Sequence, residues 1–248
     1  MKKILGAAFA AALGLAAMAP AQASLYTSTY GTQLPGPSNC DDCYAGPIAF
    51  TGTGQSINFF GNTYSEVFVS SNGYITFGSG QSSYSTQALD IQTVAPMIAG
   101  LYTDLDSRSD DASNVYVNTT TEGEIVVTWL DMGHYSSDYS RRSTFQILLR
   151  SDQLASQGGL AQIGIFYGDV GETRLVSAGF GDGLAASNPG EVAFASFVVG
   201  DTLSNSAPRY YNLNAGGIPV DVPEPASLAL LAMGGAALAG GMRRRRKQ

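Results

Sequence analysis

Residues 64–77, YSEVFVSSNGYITF, decide the fold class of this chain. Valine, isoleucine, threonine and aromatic residues are concentrated on both sides of the dipeptide Asn72-Gly73. These residue types favour strands, because their branched or flat side chains pack well on a pleated surface. Asn and Gly both tolerate positive φ, so an Asn-Gly between two such runs is a strong hairpin signal. The stretch therefore predicts two antiparallel strands joined by a tight turn.

The same pattern continues outward from this hairpin, from about residue 46 to residue 212. Short runs rich in β-branched and aromatic residues recur, with Gly, Asn, Asp and Ser between them. Glu122-Gly123 marks a second hairpin, between the runs at 115–117 and 124–130. Helical periodicity is nearly absent, apart from one helical turn expected at 151–157. The pattern predicts an all-β fold of roughly ten strands, arranged as a sandwich or a curled antiparallel sheet.

Two shorter segments flank this β-rich region. Residues 24–45 contain a run of turn-forming residues at 34–38 and predict an irregular N-terminal arm. Residues 213–221 contain Gly and Pro and predict a short linker. We therefore expect one folded domain at 46–212, with an arm before it and a linker after it.

The first 23 residues have the three parts of a secretory signal peptide. Two lysines follow the initiating methionine, and an apolar stretch continues to residue 18. A small-residue cleavage site comes next. An uncleaved signal anchor is the alternative. We expect cleavage at the site formed by Ala21, Ala23 and Ser24, with Ser24 as the first residue of the mature chain.

The C-terminal segment, residues 222–248, combines three features in a fixed order. The motif Pro223-Glu224-Pro225 comes first, and an apolar run follows at 226–242. As a helix this run would be about 25 Å long, the short end of a membrane crossing. Cations are costly to move across a bilayer, so the residues that end the chain should remain cytoplasmic. These cations are Arg243, Arg244, Arg245, Arg246 and Lys247.

These three features resemble the PEP-CTERM sorting signal of bacteria that make extracellular polysaccharide. The resemblance implies recognition by an exosortase, a membrane-embedded enzyme that removes the tail. The helix at 226–242 would then hold the protein in the inner membrane of a Gram-negative bacterium only transiently. After processing, the protein would reach the cell surface or the extracellular matrix. An ordinary C-terminal membrane anchor is the alternative.

The central region resembles the nidogen-like (NIDO) domain of extracellular matrix and adhesion proteins. The resemblance covers about residues 55–185, and as far as 212, and it rests on the order of several sequence blocks. It implies a role in cell–matrix adhesion and brings no general catalytic residues. The blocks are residues 67–77, 95–106, 115–117, the strand around Trp129, 145–149, 163–167 and 179–183.

The charge of the exported part excludes some partners. Residues 24–221 contain six arginines, no lysine and 19 acidic residues, a formal net charge of −13. Nucleic acid and anionic lipid surfaces both require a cationic footprint on the protein. We therefore expect neither as a partner. The charge fits a soluble surface protein, or one that collects divalent cations.

Cys40 and Cys43 are the two cysteines of the chain. In an exported protein the default is a disulfide, either closing this small loop or joining the chain to another. A redox role is poorly supported, because the two aspartates between the sulfurs disfavour a thiolate. Zinc is no better supported, since two cysteines and one distant histidine do not complete a tetrahedral site.

Calcium is the metal hypothesis, and it rests on the acidic segment 104–111. Calcium takes several oxygen ligands. The segment departs from the EF-hand pattern, because Arg108 stands at the fifth position. A solvated loop without metal is the alternative, and no other cofactor is expected. The candidate ligands are Asp104, Asp106, Asp110 and Asp111.

The sequence predicts a protein that is not an enzyme. His134, the single histidine, lies near Asp131 and Asp138, but no Gly-x-Ser-x-Gly motif accompanies it. A polar loop at a strand end is the simpler interpretation, and a secreted hydrolase is the least supported alternative. Thirteen tyrosines and one tryptophan offer faces for carbohydrate, although tyrosine is equally expected in strands.

The predicted function is therefore that of an exported adhesion or biofilm-matrix protein processed by an exosortase. Its partners after export would be extracellular polysaccharide, matrix proteins or cell-surface proteins. A calcium- or carbohydrate-binding module of the polysaccharide layer is the alternative function.

Overall fold

The computed structural model describes residues 25–91, 95–108, 114–186, 188 and 191–222. Within these ranges sixteen strands accompany one α-helix, α1 (Asp152–Gly158), and two 3-10 turns at Leu89–Ile91 and Gly200–Leu203. The predicted all-β class is confirmed, and the strand number exceeds the expected ten because several strands have only two or three residues. The strands are β1 (Thr32–Gln33), β2 (Tyr44–Ala49), β3 (Ile57–Phe59), β4 (Asn62–Tyr64), β5 (Glu66–Ser70), β6 (Tyr74–Thr76), β7 (Met97–Tyr102), β8 (Leu105–Asp106), β9 (Asn114–Asn118), β10 (Glu124–His134), β11 (Asp138–Arg150), β12 (Ile163–Val170), β13 (Leu175–Gly181), β14 (Val192–Val199), β15 (Arg209–Leu213) and β16 (Pro219–Val222).

The larger sheet has eight strands, all paired antiparallel. Their order is β1-β9-β10-β11-β12-β15-β16, and the short strand β8 pairs with the far end of β10. The hairpin predicted at Glu122-Gly123 joins β9 to β10, and Gly123 has the positive φ of 73° that such a turn uses. Because β10 and β11 have 11 and 13 residues, they extend beyond the rest of the sheet.

The smaller sheet has six antiparallel strands in the order β14-β13-β7-β6-β5-β2. The predicted Asn72-Gly73 turn joins β5 to β6. Gly73 has φ +81°, and a Cβ at this position would collide with the carbonyl oxygen of Leu101. The turn therefore requires glycine both for its backbone angle and for the close approach of β7. A separate two-stranded hairpin, β3–β4, completes the fold.

The two sheets pack on a shared apolar core. Trp129 and Phe145 of the larger sheet stack with their ring centroids 4.9 Å apart and are fully buried. Among the described residues, hydrogen bonds also cross between the sheets. Trp129 Nε1 donates to the carbonyl oxygen of Ser70 at 2.8 Å, and the Tyr167 hydroxyl donates to that of Gly100 at 2.6 Å. Burying each large apolar side chain contributes about 1.5–3 kcal/mol, so this core is the main source of stability.

The outer face of each sheet is covered by an irregular segment. Tyr26 of the N-terminal arm lies on Phe166 of the larger sheet, with ring centroids 5.4 Å apart. On the smaller sheet, residues 78–91 cover Tyr74 and Tyr102, whose hydroxyls bond to the backbone and side chain of Ser83. The polar composition of residues 78–91 therefore suits a cover that faces solvent on one side.

The arm and the linker differ from the sequence prediction. Within 24–45, β1 pairs with β9 and β2 begins at Tyr44, so the arm supplies an edge strand to each sheet. Within 213–221, β16 pairs with β15 and extends the larger sheet. Their short sequences lack strong strand patterns. They form strands because an adjacent strand has edge backbone groups with which they can pair.

Within the described ranges, no helix combines the length and apolar character that a membrane crossing needs. Several predictions from the sequence concern the two ends of the chain and lie outside those ranges. They are the signal-cleavage residues Ala21, Ala23 and Ser24, the motif Pro223-Glu224-Pro225, the apolar run at 226–242, and the cations Arg243 to Lys247.

Candidate functional site

Three segments that are distant in sequence converge beside the core. The Cys40–Cys43 loop contacts the segment after β7, where Cys40 N donates to Ser107 Oγ at 2.8 Å. The same segment contacts the β10–β11 hairpin, because Tyr135 N donates to the carbonyl oxygen of Asp104 at 3.0 Å. Asp104 and Asp106, two of the aspartates named as calcium ligands, therefore lie in the same region of the fold as the single histidine.

The disulfide closes the small loop, so the pairing is within the chain. Cys40 and Cys43 are bonded, with their Cα atoms 6.0 Å apart. The turn that follows β5 holds this loop, since Ser71 N donates to the carbonyl oxygen of Cys43 at 2.9 Å. Asn72 Nδ2 donates to the carboxylate of Asp42 at 2.9 Å. The hairpin that decides the fold class thus also positions an acidic loop.

Asp41, Asp42 and Asp104 form the acidic cluster of this region. Each offers a carboxylate oxygen, and the three oxygens lie within 4.8 Å of one another. Partial burial and the nearby carboxylates of Asp42 and Asp41 raise the pKa of Asp104 to about 6. Burial and the charge of Asp106 also raise the pKa of Asp41, against the opposing effect of Arg108. The scaffold therefore holds three like-charged groups closer than they would settle in water.

Asp106, only two residues after Asp104, has the opposite environment. Its side chain is fully buried, and it accepts hydrogen bonds from Arg108 Nε at 2.9 Å and Arg108 Nη2 at 2.7 Å. Burial alone would raise the pKa of Asp106, but the hydrogen bonds from Arg108 outweigh it and hold the pKa below its usual value. Asp106 is thus a structural partner of Arg108 and has little capacity left for a metal.

The calcium ligands proposed from sequence are therefore only partly brought together. Asp104 meets Asp41 and Asp42 instead of Asp106, and Asp110 and Asp111 lie outside the described residues. Sequence reasoning missed Asp41 and Asp42 because about sixty residues separate them from Asp104. The local signal available was their position between the two cysteines, which gives no information about the partner segment.

His134 belongs to a buried polar pair. Its Nε2 lies 2.9 Å from Ser143 Oγ, and Gly171 N donates to the same hydroxyl at 3.2 Å. Burial lowers the pKa of His134. His134 is 2% exposed and Ser143 is fully buried, so a substrate could not reach either group. Asp138, which the sequence places near His134, binds Arg141 at 2.8 Å. The ring thus ties β10 to β11.

Glu172 and Arg174 connect this histidine region to the acidic cluster. Glu172 is 1% exposed and accepts from Arg174 Nη2 at 2.6 Å. The same nitrogen donates to the carbonyl oxygen of Asp104 at 2.7 Å. Burial would raise the pKa of Glu172, but the hydrogen bonds from Arg174 hold it below its usual value. The guanidinium of Arg174 is therefore fixed in orientation at the border of the cluster.

Comparison with known proteins identifies two sequence families in this chain. The family described as NIDO related matches residues 18–155, and the PEP-CTERM protein-sorting motif matches residues 221–247. The chain is similar to Nidogen of Drosophila melanogaster, with 27% identity over 188 residues. That alignment covers 66% of this chain and 13% of the Drosophila protein, so the chain spans only a small part of its relative. No solved structure matches the chain.

Proposed function

The chain belongs to the NIDO-related family and ends in a PEP-CTERM sorting motif, and from this premise we propose that it mediates adhesion within an extracellular matrix or biofilm. The sorting motif implies an exported protein with a membrane-anchoring tail that an exosortase processes. The domain that precedes the tail is of an extracellular-matrix type. In the proposed function this domain contacts extracellular polysaccharide, matrix proteins or neighbouring cells after the inner membrane has released it.

The observation that carries the proposal is the direct connection between the two parts. Strand β16 of the larger sheet reaches Val222, the last described residue, and Pro223 of the sorting motif follows it in sequence. In the proposed function the tail directs the export of the sandwich that precedes it. The exported part carries a formal charge of −13 and no lysine, which suits a soluble protein outside the cell and disfavours nucleic acid as a partner.

We further propose that the protein acts by binding and not by catalysis. His134, the acid–base candidate that the sequence offers, is buried with Ser143 beneath the surface of the described part of the chain. A general base must come within hydrogen-bond reach of its substrate, which this location prevents.

The experiment compares cells that carry the gene, lack it, or carry a complementing copy of the full chain. We expect the mature protein in the matrix fraction, and weaker attachment to polysaccharide-coated surfaces in the strain that lacks it. Mature protein found entirely in the medium, together with unchanged attachment, would contradict the adhesive role.

Processing is tested separately by mass spectrometry of the mature protein from strains with and without the exosortase. We expect the tail to be absent only when the exosortase is present. An intact tail in both strains would leave a plain membrane anchor as the better interpretation.

Calcium binding is the second candidate function, and the acidic cluster is the observation that favours it. Carboxylate oxygens are the ligands that calcium prefers, and a cation would relieve the repulsion among Asp41, Asp42 and Asp104. Calorimetric titration of the full-length protein with calcium chloride should give heat that Asp104→Asn removes. Asp201→Asn, at an exposed position in a 3-10 turn, is the control. No heat and an unchanged melting temperature at millimolar calcium would contradict this function.

A further inference from the structure

A cleft of about 240 Å³ lies next to the acidic cluster. Its walls come from three segments: residues 84–86 of the cover on the smaller sheet, residues 103–104 after β7, and Arg174-Leu175 at the start of β13. Ligand sites are commonly concave and combine apolar surface with a few polar groups. This cleft has that composition, since it combines a tyrosine and a leucine with a carboxylate and a guanidinium.

The apolar side chains around the cleft are exposed, unlike those of the core. Tyr84 is 51% exposed and Leu175 is 50% exposed, whereas Tyr74, Tyr102 and Tyr167 are fully buried. Tyr135, 59% exposed, stands on the border, with the guanidinium of Arg174 at 5.4 Å from its ring centroid. Core packing accounts for the buried tyrosines but not for the two exposed rings beside the cleft.

Hydrogen bonds hold the walls of the cleft in place without a ligand. Thr86 Oγ1 lies 3.2 Å from the carbonyl oxygens of both Tyr102 and Leu175 and so joins the cover to β7 and β13. Arg174 Nη2 joins the third wall by donating to the carbonyl oxygen of Asp104 at 2.7 Å. A preformed site loses less conformational entropy on binding than a mobile one.

The polar groups of the cleft match the hydroxyl edge of a sugar. The carboxylate of Asp104 accepts hydrogen bonds, and Arg174 offers Nη1 as a donor, because its Nε and Nη2 already donate to Glu172 and to the Asp104 carbonyl oxygen. A sugar also has a face of C–H groups, which carry slight positive charge and suit the negative face of a tyrosine ring. A sugar would therefore fit both the polar and the apolar walls of the cleft.

We propose that this cleft binds a neutral sugar unit of the extracellular polysaccharide, with its C–H face on Tyr84 and its hydroxyls on Asp104 and Arg174. This inference rests on the proposed matrix function and names the contact surface for it. The unit is neutral because Asp41, Asp42 and Asp104 lie together at the polar side of the cleft. A uronic acid there would add a fourth negative charge to three existing ones.

The test measures glycan binding by the full-length protein in a detergent without a sugar headgroup. The probes are polysaccharide from the producing bacterium, glucose hexasaccharides with β-1,4, α-1,4 and β-1,3 linkages, and a hexauronate. We expect at least one neutral probe or the bacterial polysaccharide to bind, and the hexauronate not to bind. Failure of all these probes with wild-type protein, or a preference for the hexauronate, would overturn the inference.

Variants identify the cleft as the site. Tyr84→Ala and Asp104→Asn should each weaken binding about tenfold or more, and Tyr84→Phe, which keeps the ring, by less than about threefold. Tyr44→Ala is the matched control, since Tyr44 is 49% exposed on β2, an edge strand of the same sheet that does not line the cleft. Equal losses in Tyr84→Ala and Tyr44→Ala, or no loss in Tyr84→Ala, would contradict the assignment.

Two further measurements distinguish the sugar site from calcium binding and from the adhesive function. Binding should persist in EDTA, and a requirement for calcium would overturn the direct contact with Asp104. The attachment assay is repeated with the Tyr84→Ala chain. Normal attachment of wild-type cells without binding of any glycan probe would refute the sugar site while the adhesive function stands. Glycan binding with no attachment defect in the deletion strain would refute the adhesive function while the cleft stands.

Discussion

Between the two sheets, Trp129 and Phe145 stack at 4.9 Å with no exposed surface, whereas at the neighbouring acidic cluster three carboxylate oxygens lie within 4.8 Å of one another. The first contact is attractive and needs no support from outside the core. The second is repulsive and persists because the disulfide loop, the Asn72 side chain and the β10–β11 hairpin hold its parts. The difference indicates that packing in the core supplies the free energy that keeps the repelling carboxylates of the acidic region together, as is common at functional sites.

Asp104 and Asp106 show the same contrast within three residues. Asp104 faces like charges, and its pKa rises to about 6, whereas hydrogen bonds from Arg108 hold the pKa of Asp106 below its usual value. Their environments differ because the segment pairs with β10 through Leu105-Asp106 and leaves Asp104 turned to the disulfide loop.

The largest effect is expected from breaking the core. Trp129→Ala should lower the free energy of unfolding by about 3–5 kcal/mol, because it removes a large buried ring and leaves a cavity. Urea denaturation followed by circular dichroism measures this. Trp129→Phe, which keeps an aromatic ring but loses the donor to Ser70, should cost less. A loss below about 1 kcal/mol in the alanine variant would contradict the central place given to this ring.

A smaller effect is expected at the boundary between core and cluster. Arg108→Ala leaves the buried carboxylate of Asp106 without its main donors and should cost about 2 kcal/mol. Arg108 is itself half exposed, which keeps the loss below that of a fully buried ion pair. Arg141→Ala, which breaks the exposed pair with Asp138, is the control and should change stability little. Equal effects of the two substitutions would argue against the burial of Asp106.

Removing the cross-link of the acidic loop should have a still smaller effect. Replacing Cys40 and Cys43 by serine should cost about 1–2 kcal/mol, because the closed loop is very short and its opening adds little entropy to the unfolded chain. Thermal unfolding of the double variant measures this. A loss as large as that of Trp129→Ala would show that the loop supports the core and not only the cluster.

The smallest expected effect is an increase in stability, and its size depends on pH. Because the folded-state pKa of Asp104 lies above its unfolded value of 3.8, the folded protein binds more protons between about pH 4 and pH 6. This group therefore lowers stability as pH rises through that window. Asp104→Asn should stabilise the protein above pH 6 by less than about 1 kcal/mol, since the group is partly exposed and screened.

Melting temperatures from pH 4 to pH 7 test this prediction. The difference between Asp104→Asn and wild type should grow with pH and level off above about pH 6. A constant difference across the range would mean that the charge of Asp104 does not affect folding.

Elements with local signals were predictable. The Asn72-Gly73 turn and the Glu122-Gly123 turn both join antiparallel strands, as their sequences indicate. Helix α1 also matches the expected helical turn, because Ser151 caps its first turn and Gly159 ends it in the left-handed conformation. In each case residues adjacent in sequence are sufficient to form the turn or the helix.

Elements that depend on distant partners were not predictable. Strands β1 and β16 lie in segments expected to be irregular, and only the free edges of β9 and β15 make them strands. The acidic cluster has the same origin, since Asp41 and Asp104 meet through the packing of two loops. Likewise, Asp131 and Asp138 are near His134 in sequence, but the hydrogen-bond partner of its ring is Ser143 on the adjacent strand.

The sequence by itself determined the all-β class, the main hairpins and the presence of a C-terminal sorting motif, and the family comparisons agree with its two resemblances. These properties follow from side-chain type, turn chemistry and the order of residues along the chain. The tertiary structure decided which aspartate is buried with an arginine, which one faces other carboxylates, and where two tyrosines remain exposed beside a cleft. Charge environment and exposure depend on which strands pair, and no local stretch of sequence contains that information.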